Sequence, residues 1–402
     1  MGVENTCRYL CTVFLLMMAG TLEMYAQVDS TQMTPKQEER FQRKEARRAK
    51  RQAKIDEGKW LITPLAGPGY TPELGLILSL DVLFTFRTQP SNPLLKRSSI
   101  PITLGFSTTG AILANIRPVT FWASNRLRIN GKFWFKDLPD HYWGIGYQQG
   151  ISVPEEDSLT GFTRRWMWLN PEVVWEIRNN DFIGLNVDVN YTQGRNPSAR
   201  VEQDPNYLTY NSRPLNTGLG VILRHDSRDM PVNAWNGWFL DASATFYIPF
   251  LGGDNRYQAY ALDYRQYLTL GRPGQVLAWQ AKTRFAFGEV PYGEMSMVGS
   301  PFDLRGYRWG HFRDMDMVFA LAEFRYTFLR KGGKELSPHG AVGWVGLGSV
   351  FDIKKTSLDE LGLLPNAGIG YRLAVQPRMN IRLDFGVGRD SFGFYFNFHE
   401  AF

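Results

Sequence analysis

The chain has 402 residues, a formal net charge of +6 and a mean hydropathy of −0.29. The charge is unevenly placed: residues 34–59 hold ten Lys and Arg against five Asp and Glu. A basic segment this short does not indicate a nucleic-acid partner. Both cysteines, Cys7 and Cys11, lie near the start of the chain. The rest of the chain therefore lacks the thiols that disulfides, thiolate metal sites and cysteine nucleophiles require.

The N-terminal residues indicate an exported protein. Arg8 precedes an apolar stretch, residues 9–19, and the small residue Ala26 stands at the expected cleavage point, so the pattern predicts a signal peptide over residues 1–26. Residues 27–59 are predicted to be a charged periplasmic arm, helical because it is rich in helix formers. Two interpretations of this arm stay open: a solvated tether, or an arm that contacts a partner or phospholipid headgroups.

The remainder of the chain, residues 60–402, follows the pattern of a membrane barrel. No run of about 18 apolar residues occurs beyond the signal, which excludes a transmembrane helix. Hydrophobicity instead alternates with a period of two. In residues 181–191, apolar side chains alternate with Asn186, Asp188 and Asn190. Apolar side chains outside and polar ones inside are typical of a barrel wall around a wet lumen. The predicted fold class is all-β, a transmembrane antiparallel β-barrel with a short N-terminal charged helix.

Sixteen strands are predicted, an even number that places both ends of the wall in the periplasm. The predicted strands are residues 74–86, 99–108, 112–122, 125–137, 142–150, 161–177, 181–193, 215–226, 237–249, 255–269, 275–288, 315–330, 339–351, 364–375, 379–389 and 391–402. Connections after even-numbered strands are then short and periplasmic, and those after odd-numbered strands are extracellular. Residues 289–314, after the eleventh strand, form one of the longest extracellular loops.

Four short motifs occur in order along this region. From the N-terminal side they are the turn that runs from Arg224 to Gly237, the loop tetrapeptide Leu304-Arg305-Gly306-Tyr307, the strand motif Leu383-Asp384-Phe385-Gly386 and an aromatic C-terminal strand. Together they resemble the bacterial surface antigen superfamily, the BamA/TamA-like group of outer-membrane assembly and translocation barrels. The resemblance runs from about residue 60 to the end. It implies an outer-membrane barrel of Gram-negative bacteria that takes part in protein insertion or transport.

The resemblance implies a role for the loop tetrapeptide. In these barrels the loop folds into the lumen and its arginine, here Arg305, pairs with a carboxylate on the wall, because an unpaired buried guanidinium is costly. The glycine that follows allows a tight backbone, and the tyrosine packs beside it. This chain departs from the family pattern, since Gly346 stands where many members carry the aspartate. By lumen parity, Asp384 and Glu323 are the remaining candidates, and Asp384 is slightly favoured.

The second motif is interpreted as a structural hairpin rather than a binding site. Asp226 and Asp229, which lie on either side of Arg228, can accept hydrogen bonds from backbone amides. Pro231 and Gly237 set the conformation of the turn.

The C-terminal strand has an aromatic face and a polar face. The aromatic face consists of Phe392, Phe394, Phe396, Phe398 and Phe402. The strand resembles the signal by which barrel substrates are recognised for insertion, with Gly393, Tyr395, Phe398 and Phe402 as its signal residues. This resemblance marks the chain as a client of the assembly machinery.

Assembly and secretion members of this family carry periplasmic POTRA modules, whereas this sequence offers only the charged arm before the first strand. The resemblance therefore implies a POTRA-less member, in which substrate handling is absent or supplied by another protein. The expected partners are outer-membrane lipids and lipopolysaccharide, together with proteins of the periplasm or outer membrane.

No enzyme is predicted. No G-x-S-x-G motif occurs, and the five histidines are scattered without metal-ligand spacing, so neither a catalytic site, a metal nor a cofactor is expected. The function predicted first is assembly, insertion or export of outer-membrane proteins within a complex. The alternatives are a non-catalytic scaffold subunit and a channel for small solutes.

Overall fold

A computed structural model describes residues 35–402 except 331, 334 and 377. The predicted signal peptide, residues 1–26, and the first part of the predicted arm lie outside the described residues. Helix α1, Pro35–Asp56, forms a unit of its own, with Glu38 in its first turn and Lys54 in its last, which suits the helix dipole. Among the described residues, no helix is both long enough and apolar enough to cross a membrane.

The second unit, from Gly58 onward, is a closed antiparallel barrel. Its wall consists of β1 (Leu61–Thr71), β2 (Gly75–Phe86), β3 (Ser98–Ser107), β4 (Ile112–Ile116), β5 (Val119–Trp122), β6 (Leu127–His141), β7 (Gly161–Arg178), β8 (Asp181–Arg195), β9 (Leu215–Asp226), β10 (Gly237–Tyr247), β11 (Tyr257–Thr269) and β12 (Gln275–Gly288). It continues with β15 (Asp316–Leu329), β16 (Leu336–Phe351), β17 (Leu364–Gln376), β18 (Met379–Gly388) and β19 (Ser391–Phe398), while β13 (Ser296–Val298) and β14 (Phe312–Asp314) form a separate two-stranded sheet. The short strands β4 and β5 share one position between β3 and β6, because Pro118 interrupts them and has no N–H to donate. The wall therefore has sixteen positions, which confirms the predicted barrel and its strand number.

Two strand predictions were wrong. One strand was missed and one was predicted in error, so the total number of wall positions is unchanged. The first strand, β1, was not predicted. Residues 142–150 were predicted to be a strand, but Gly144 and Gly146 have φ of 108° and 96°, and helix α2 begins at Tyr147. As a result, residues 87–97 lie at the end of the barrel opposite to the predicted one. The connections that follow the next two wall positions also lie at the ends opposite to those predicted.

The two ends of the barrel differ. We call the end where β1 begins and β19 ends the proximal mouth, and the other end the distal mouth. Connections at the proximal mouth are short at residues 179–180, 270–274 and 377–378. The distal mouth carries the long connections 142–160, 196–214 and 289–315. These hold the short helices α2 (Tyr147–Ser152), α3 (Asp157–Thr160), α4 (Ala199–Glu202) and α5 (Pro205–Tyr210), and two single 3-10 turns, Pro249–Leu251 and Leu358–Glu360, occupy other distal connections.

The two faces of the wall differ as the sequence alternation predicts. On β8, Ile183 and Leu185 are 48% and 65% exposed on the outer face, whereas Asn186 and Asp188 are only 7% and 6% exposed and point into the lumen. The outside of the barrel is therefore an apolar surface suited to lipid, and the inside is polar.

The wall is weakest where its first and last strands meet. Strands β1 and β19 are joined by one registered pair, Tyr70 with Phe396. By contrast, β1 and β2 share eleven registered pairs, and β18 and β19 share eight. We call the β1–β19 junction the seam.

The lumen holds two segments that are not part of the wall. One is residues 289–315, which include β13 and β14 and which we call the loop; the other is residues 399–402, which we call the tail. Leu304 and Tyr307 of the loop and Phe402 of the tail belong to one buried apolar cluster, which also contains Tyr267 and Val276 of the wall. The loop and the tail therefore give the barrel a packed interior.

The apolar outer face leads to a first prediction. Leu185→Arg places a guanidinium where the wall meets lipid, and we expect it to lower the free energy of unfolding by about 2–4 kcal/mol. Leu358→Arg, in a distal turn where the leucine is 88% exposed, is the control and should change stability little. The measurement is denaturant unfolding of both variants refolded into lipid vesicles. Equal stability of the two variants would show that β8 does not face lipid.

Candidate functional site

The loop adopts a defined turn before it reaches the wall. The Oδ1 atom of Asp303 accepts hydrogen bonds from the N–H groups of Gly299, Ser300 and Leu304 at 2.9, 2.6 and 2.6 Å. Gly299 has a φ of 99°, a conformation that favours glycine. This turn projects the next residue, Arg305, into the interior of the barrel.

Arg305 is completely buried and lies between two carboxylates. Its Nη2 donates to Oε2 of Glu323 on β15 at 2.7 Å, and its Nη1 donates to Oδ2 of Asp384 on β18 at 2.7 Å. Its guanidinium lies 3.5 Å from the ring centroid of Trp344, and Asn366 donates to its backbone oxygen. The structure therefore uses both of the carboxylates between which the sequence left a choice.

These contacts are part of a larger set of ion pairs. Arg325 pairs with Glu323 at 2.7 Å, and Arg372 pairs with Asp384 at 2.6 Å. Both arginines also approach Glu400 of the tail, at 4.0 and 2.8 Å respectively. Six charged residues thus alternate in sign around a closed circuit, which we call the ion-pair ring. In order they are Arg305, Asp384, Arg372, Glu400, Arg325 and Glu323.

Two glycines, Gly368 and Gly386, lie close to Arg305 and Trp344, and we call them the glycine floor. The sequence analysis did not identify them. Gly368 on β17 pairs directly with Gly386 on β18. A Cβ on Gly386 would lie 2.3 Å from the backbone oxygen of Arg305, and a Cβ on Gly368 would lie 2.1 Å from Cζ2 of Trp344. Side chains here would displace the arginine or the ring that covers it. The sequence signal was the run of alternate glycines on two neighbouring strands.

The next two loop residues fit the wall closely. Gly306 has a φ of 119°, and a Cβ there would lie 2.8 Å from the carbonyl carbon of Val387. Its N–H donates to Oη of Tyr395 on β19 at 2.9 Å. The Oη of Tyr307 donates to the backbone oxygen of Pro365 at 2.7 Å and accepts from the N–H of Arg389 at 2.8 Å. All four residues of the predicted tetrapeptide therefore lie inside the barrel, against strands β15 to β19.

The loop also reaches the other side of the lumen. The ring of Trp309 lies 5.5 Å from that of Trp166 on β7 and 4.4 Å from the ammonium of Lys136 on β6. The N–H of Trp309 donates to Oε1 of Glu73, in the turn between β1 and β2, at 3.3 Å. Because Arg305 is held at one wall and Trp309 at another, the loop crosses the lumen.

A third anchor of the loop is Glu294. Its Oε2 accepts a hydrogen bond from Asn190 at 2.7 Å, and its Oε1 lies 3.4 Å from the hydroxyl of Thr192, both on β8. Burial, aided by the charge of Asp188, raises the pKa of Glu294 to about 8. This carboxyl is therefore largely protonated at neutral pH. The sequence analysis missed it because only the fold brings the loop to β8.

The predicted hairpin residues lie together at the proximal mouth. Asp226 pairs with Arg228 at 2.9 Å and also with Arg128 of β6 at 3.3 Å. Arg228 donates to the backbone oxygen of Pro231 at 3.3 Å. Gly237 has a φ of 95°, and a Cβ there would lie 2.3 Å from a backbone oxygen. These contacts describe a structured turn.

The second aspartate of the hairpin extends across the proximal mouth. The Oδ1 of Asp229 accepts from the N–H groups of Met230 and Trp235 at 2.8 and 3.0 Å. Its Oδ2 accepts from Arg378 at 2.6 Å, and that guanidinium lies 4.0 Å from the Trp235 ring. The hairpin thereby contacts the β17–β18 turn.

The residues of the predicted C-terminal signal do not share one environment. Phe398 is 40% exposed on the outer face, whereas Gly393 and Tyr395 face the lumen. Phe402 was assigned by parity to the same aromatic strand face as Phe398, and this was wrong. Strand β19 ends at Phe398, His399 has a φ of 64°, and the tail turns inward, so that Phe402 is buried.

No cluster of three or more His, Cys, Asp or Glu residues with metal-binding geometry occurs in the part of the chain that the structure describes. The lumen carboxylates Glu323, Asp384 and Glu400 pair with arginines.

Comparisons with known proteins bear on both the fold and the loop. A family model described as the Omp85 superfamily domain matches residues 146–402. No curated protein sequence matches the chain. The structure resembles that of BamA from Haemophilus ducreyi lacking POTRA domains 1–3, with 15% sequence identity, a TM-score of 0.54 and coverage of 83% of this chain and 69% of that one.

Two further solved structures have a similar fold. They are CdiB from Acinetobacter baumannii, with 10% identity, a TM-score of 0.52 and coverage of 85% of this chain and 59% of that one, and CdiB from Escherichia coli, with 10% identity, a TM-score of 0.56 and coverage of 85% and 63%. This chain therefore spans less than two thirds of the length of either CdiB structure.

The glycine floor generates the second prediction. In Gly368→Ala the added methyl group meets the Trp344 ring, so we expect the loop to be loosened and the free energy of unfolding to fall by about 1–3 kcal/mol. Gly343→Ala on neighbouring β16 is the matched control, because a Cβ there has no neighbour within 4 Å. Stability is measured by the temperature at which the folded barrel loses its faster gel migration. Indistinguishable variants would contradict the role of the floor.

The raised pKa of Glu294 generates the third prediction. The unfolded chain releases this proton near the ordinary pKa of 4.5, while the folded chain retains it up to about 8. Folding is therefore penalised progressively as the pH rises between these values, by up to a few kcal/mol.

Glu294→Gln keeps a neutral side chain at every pH. The variant should match the wild type near pH 4 and exceed it in thermal stability by a margin that grows towards pH 8–9. The measurement is the difference between the two unfolding midpoints across this range, which cancels other titrating groups. A constant difference would show that Glu294 is ionised in the folded protein.

Proposed function

This chain belongs to the Omp85 superfamily, and from that premise we propose that it assembles, inserts or exports proteins at the outer membrane as part of a complex. The single observation that carries the proposal is the seam. A wall built only for passive enclosure has no reason to leave one of its junctions nearly unpaired, since every other junction is closed by an extended ladder of hydrogen bonds.

The seam provides a route between the lumen and the lipid. With one registered pair, Tyr70 with Phe396, separation of β1 from β19 costs few hydrogen bonds. The strand edges freed in this way present N–H and C=O groups that another strand can pair with. A client strand could then add to an edge by the same backbone pairing that builds the wall.

The loop holds the seam from the inside. The N–H of Gly306 donates to Tyr395 on β19, and the N–H of Trp309 donates to Glu73 beside β1. Two loop residues three positions apart are therefore bonded to the two sides of the seam. In the proposed function, the loop stabilises the closed state and its release accompanies opening.

The orientation of the barrel follows from its connections. We assign the proximal mouth to the periplasm, because short turns are typical of that side, and the distal mouth to the cell exterior. The outer face then contacts membrane lipid and, in the outer leaflet, lipopolysaccharide. A partner protein on the periplasmic side would then supply substrate handling.

A channel for small solutes is the less favoured alternative. The loop crosses the lumen and is fixed at Arg305, Trp309 and Glu294, and the tail occupies the proximal part. Both segments occupy space that a solute pathway through the lumen would need.

The fourth prediction tests the seam. Tyr70→Cys combined with Phe396→Cys places two thiols on registered partners, and oxidation should lock the seam by a disulfide. In cells whose only copy of this protein is the double variant, we expect the locked barrel to remain folded. The outer-membrane content of other barrel or exported proteins should fall severalfold. Addition of a reductant should restore it.

The matched control is Leu78→Cys combined with Phe106→Cys. These partners lie across β2 and β3, are exposed on the outer face, and join strands that are already extensively paired. This disulfide should leave client levels unchanged. Normal client levels with a fully locked seam would contradict the proposed function.

A further inference from the structure

The ion-pair ring has an uneven origin. Four of its members stand on wall strands: Glu323 and Arg325 on β15, Arg372 on β17 and Asp384 on β18. The loop contributes only Arg305, and the tail contributes only Glu400. Arg305 and Glu400 do not contact each other, because the four wall residues lie between them in the ring. The ring therefore connects the loop to the segment that follows the seam strand β19.

The tail is held firmly in this position. Beyond the left-handed turn at His399, whose N–H donates to the backbone oxygen of Asn380 at 2.8 Å, Glu400 accepts from Asn380 Nδ2 at 2.6 Å and from Arg372 Nε at 2.8 Å. The backbone oxygen of Phe402 accepts from Arg325 Nη2 at 3.0 Å. The Phe402 ring lies 6.3 Å from that of Tyr267. Charge, hydrogen bonds and apolar contact all retain the tail inside the lumen.

Charge balance makes Glu400 important beyond its own contacts. Arg382 on β18 is also fully buried, 3.5 Å from Asp384, and none of its guanidinium nitrogens has a hydrogen-bond partner among the described residues. Four buried guanidinium groups thus share three carboxylates. Removal of Glu400 would leave four guanidinium groups with two carboxylates, and a buried charge without a partner is strongly destabilising.

The competition for the remaining carboxylates would fall on the loop. Arg372 divides its contacts between Glu400 and Asp384, and Arg325 stands between Glu400 and Glu323. Without Glu400, Arg372 has Asp384 as its remaining carboxylate and Arg325 has Glu323, beside its bond to the Phe402 backbone oxygen, and these two carboxylates also hold Arg305. The attraction available to the loop arginine would therefore weaken, although Glu400 never touches it.

We propose that the tail is a latch and that Glu400 is a positioning residue, which acts through Arg372 and Arg325 to hold the Arg305 loop. The tail directly follows β19, so displacement of that strand at the seam withdraws Glu400 and loosens the loop. Strand β19 also holds the loop through Tyr395. Seam and loop are thereby coupled sites in the thermodynamic sense. The connection to seam opening rests on the proposed function.

The test measures loop release in purified protein without any client. Trypsin can cut after Arg305 only when the loop leaves the lumen, because this side chain is completely buried, and mass spectrometry identifies the new ends. We expect Glu400→Gln to accelerate cleavage after Arg305 by about tenfold or more, a factor that corresponds to ~1.4 kcal/mol. His399→Asn is the control: it alters the same tail outside the ring, tolerates the left-handed backbone, and should cut at the wild-type rate.

A second variant separates charge from packing. Glu400→Gln combined with Arg372→Gln removes one charge of each sign, and we expect it to slow the cleavage again towards the wild-type rate. A purely structural defect of the tail would not be corrected by loss of a second side chain. If Glu400→Gln fails to fold, as shown by loss of heat-sensitive gel migration, Phe402→Ala weakens tail packing with all ring charges intact and should give a smaller acceleration.

The outcomes distinguish this inference from the function on which it rests. Wild-type cleavage rates in folded Glu400→Gln and Phe402→Ala overturn the latch, whatever the protein does in cells. Failure of the double variant to slow cleavage overturns the charge argument for Glu400. Faster cleavage in Glu400→Gln supports the latch; if cells with a locked seam nevertheless keep normal client levels, the latch stands and the proposed function fails.

Discussion

The burial of one guanidinium group determines how the interior of this barrel is arranged. Arg305 has no contact with solvent, so the wall must supply carboxylates, and it does so from β15 and β18. Those carboxylates in turn are shared with Arg325 and Arg372, because a buried acid is stabilised by more than one partner. The glycine pairing on β17 and β18 leaves room for the arginine backbone and for Trp344 above it. A single charge therefore accounts for residues on four consecutive strands.

The wall and its contents contribute differently to closure. Along most of the circumference, strands are joined by backbone ladders. At the seam the ladder nearly vanishes, and side-chain and loop contacts from the inside take its place. Hydrogen bonds in a ladder break cooperatively, whereas a few loop contacts can be released together by one segment. The closed barrel is thus stable over most of its wall and adjustable at one junction.

Much of this architecture could be predicted from the sequence, because a period of two is visible residue by residue. The prediction failed where local signals were misleading. Strand β1 contains Pro64, Gly67, Pro68 and Gly69, which resemble a turn. Residues 142–150 begin with aromatic and apolar side chains, but two glycines with positive φ bend the segment. For the loop, parity narrowed the partners of Arg305 to two residues. The roles of Glu400, Glu294 and Gly368 could not be predicted, since they depend on which distant strands the loop and tail meet.

The composition of the ion-pair ring also constrains how the chain reaches its native state. Its members span residues 305 to 400, and every contact except the Glu323–Arg325 pair on β15 joins different segments of the chain. Closing such contacts is entropically costly until the strands between them are paired. The ring therefore cannot form before β15 to β19 are in register, which makes entry of the loop and tail a late step of folding. An early intermediate of this protein would be a paired sheet with a hydrated lumen, in which neither the loop nor the tail has yet docked.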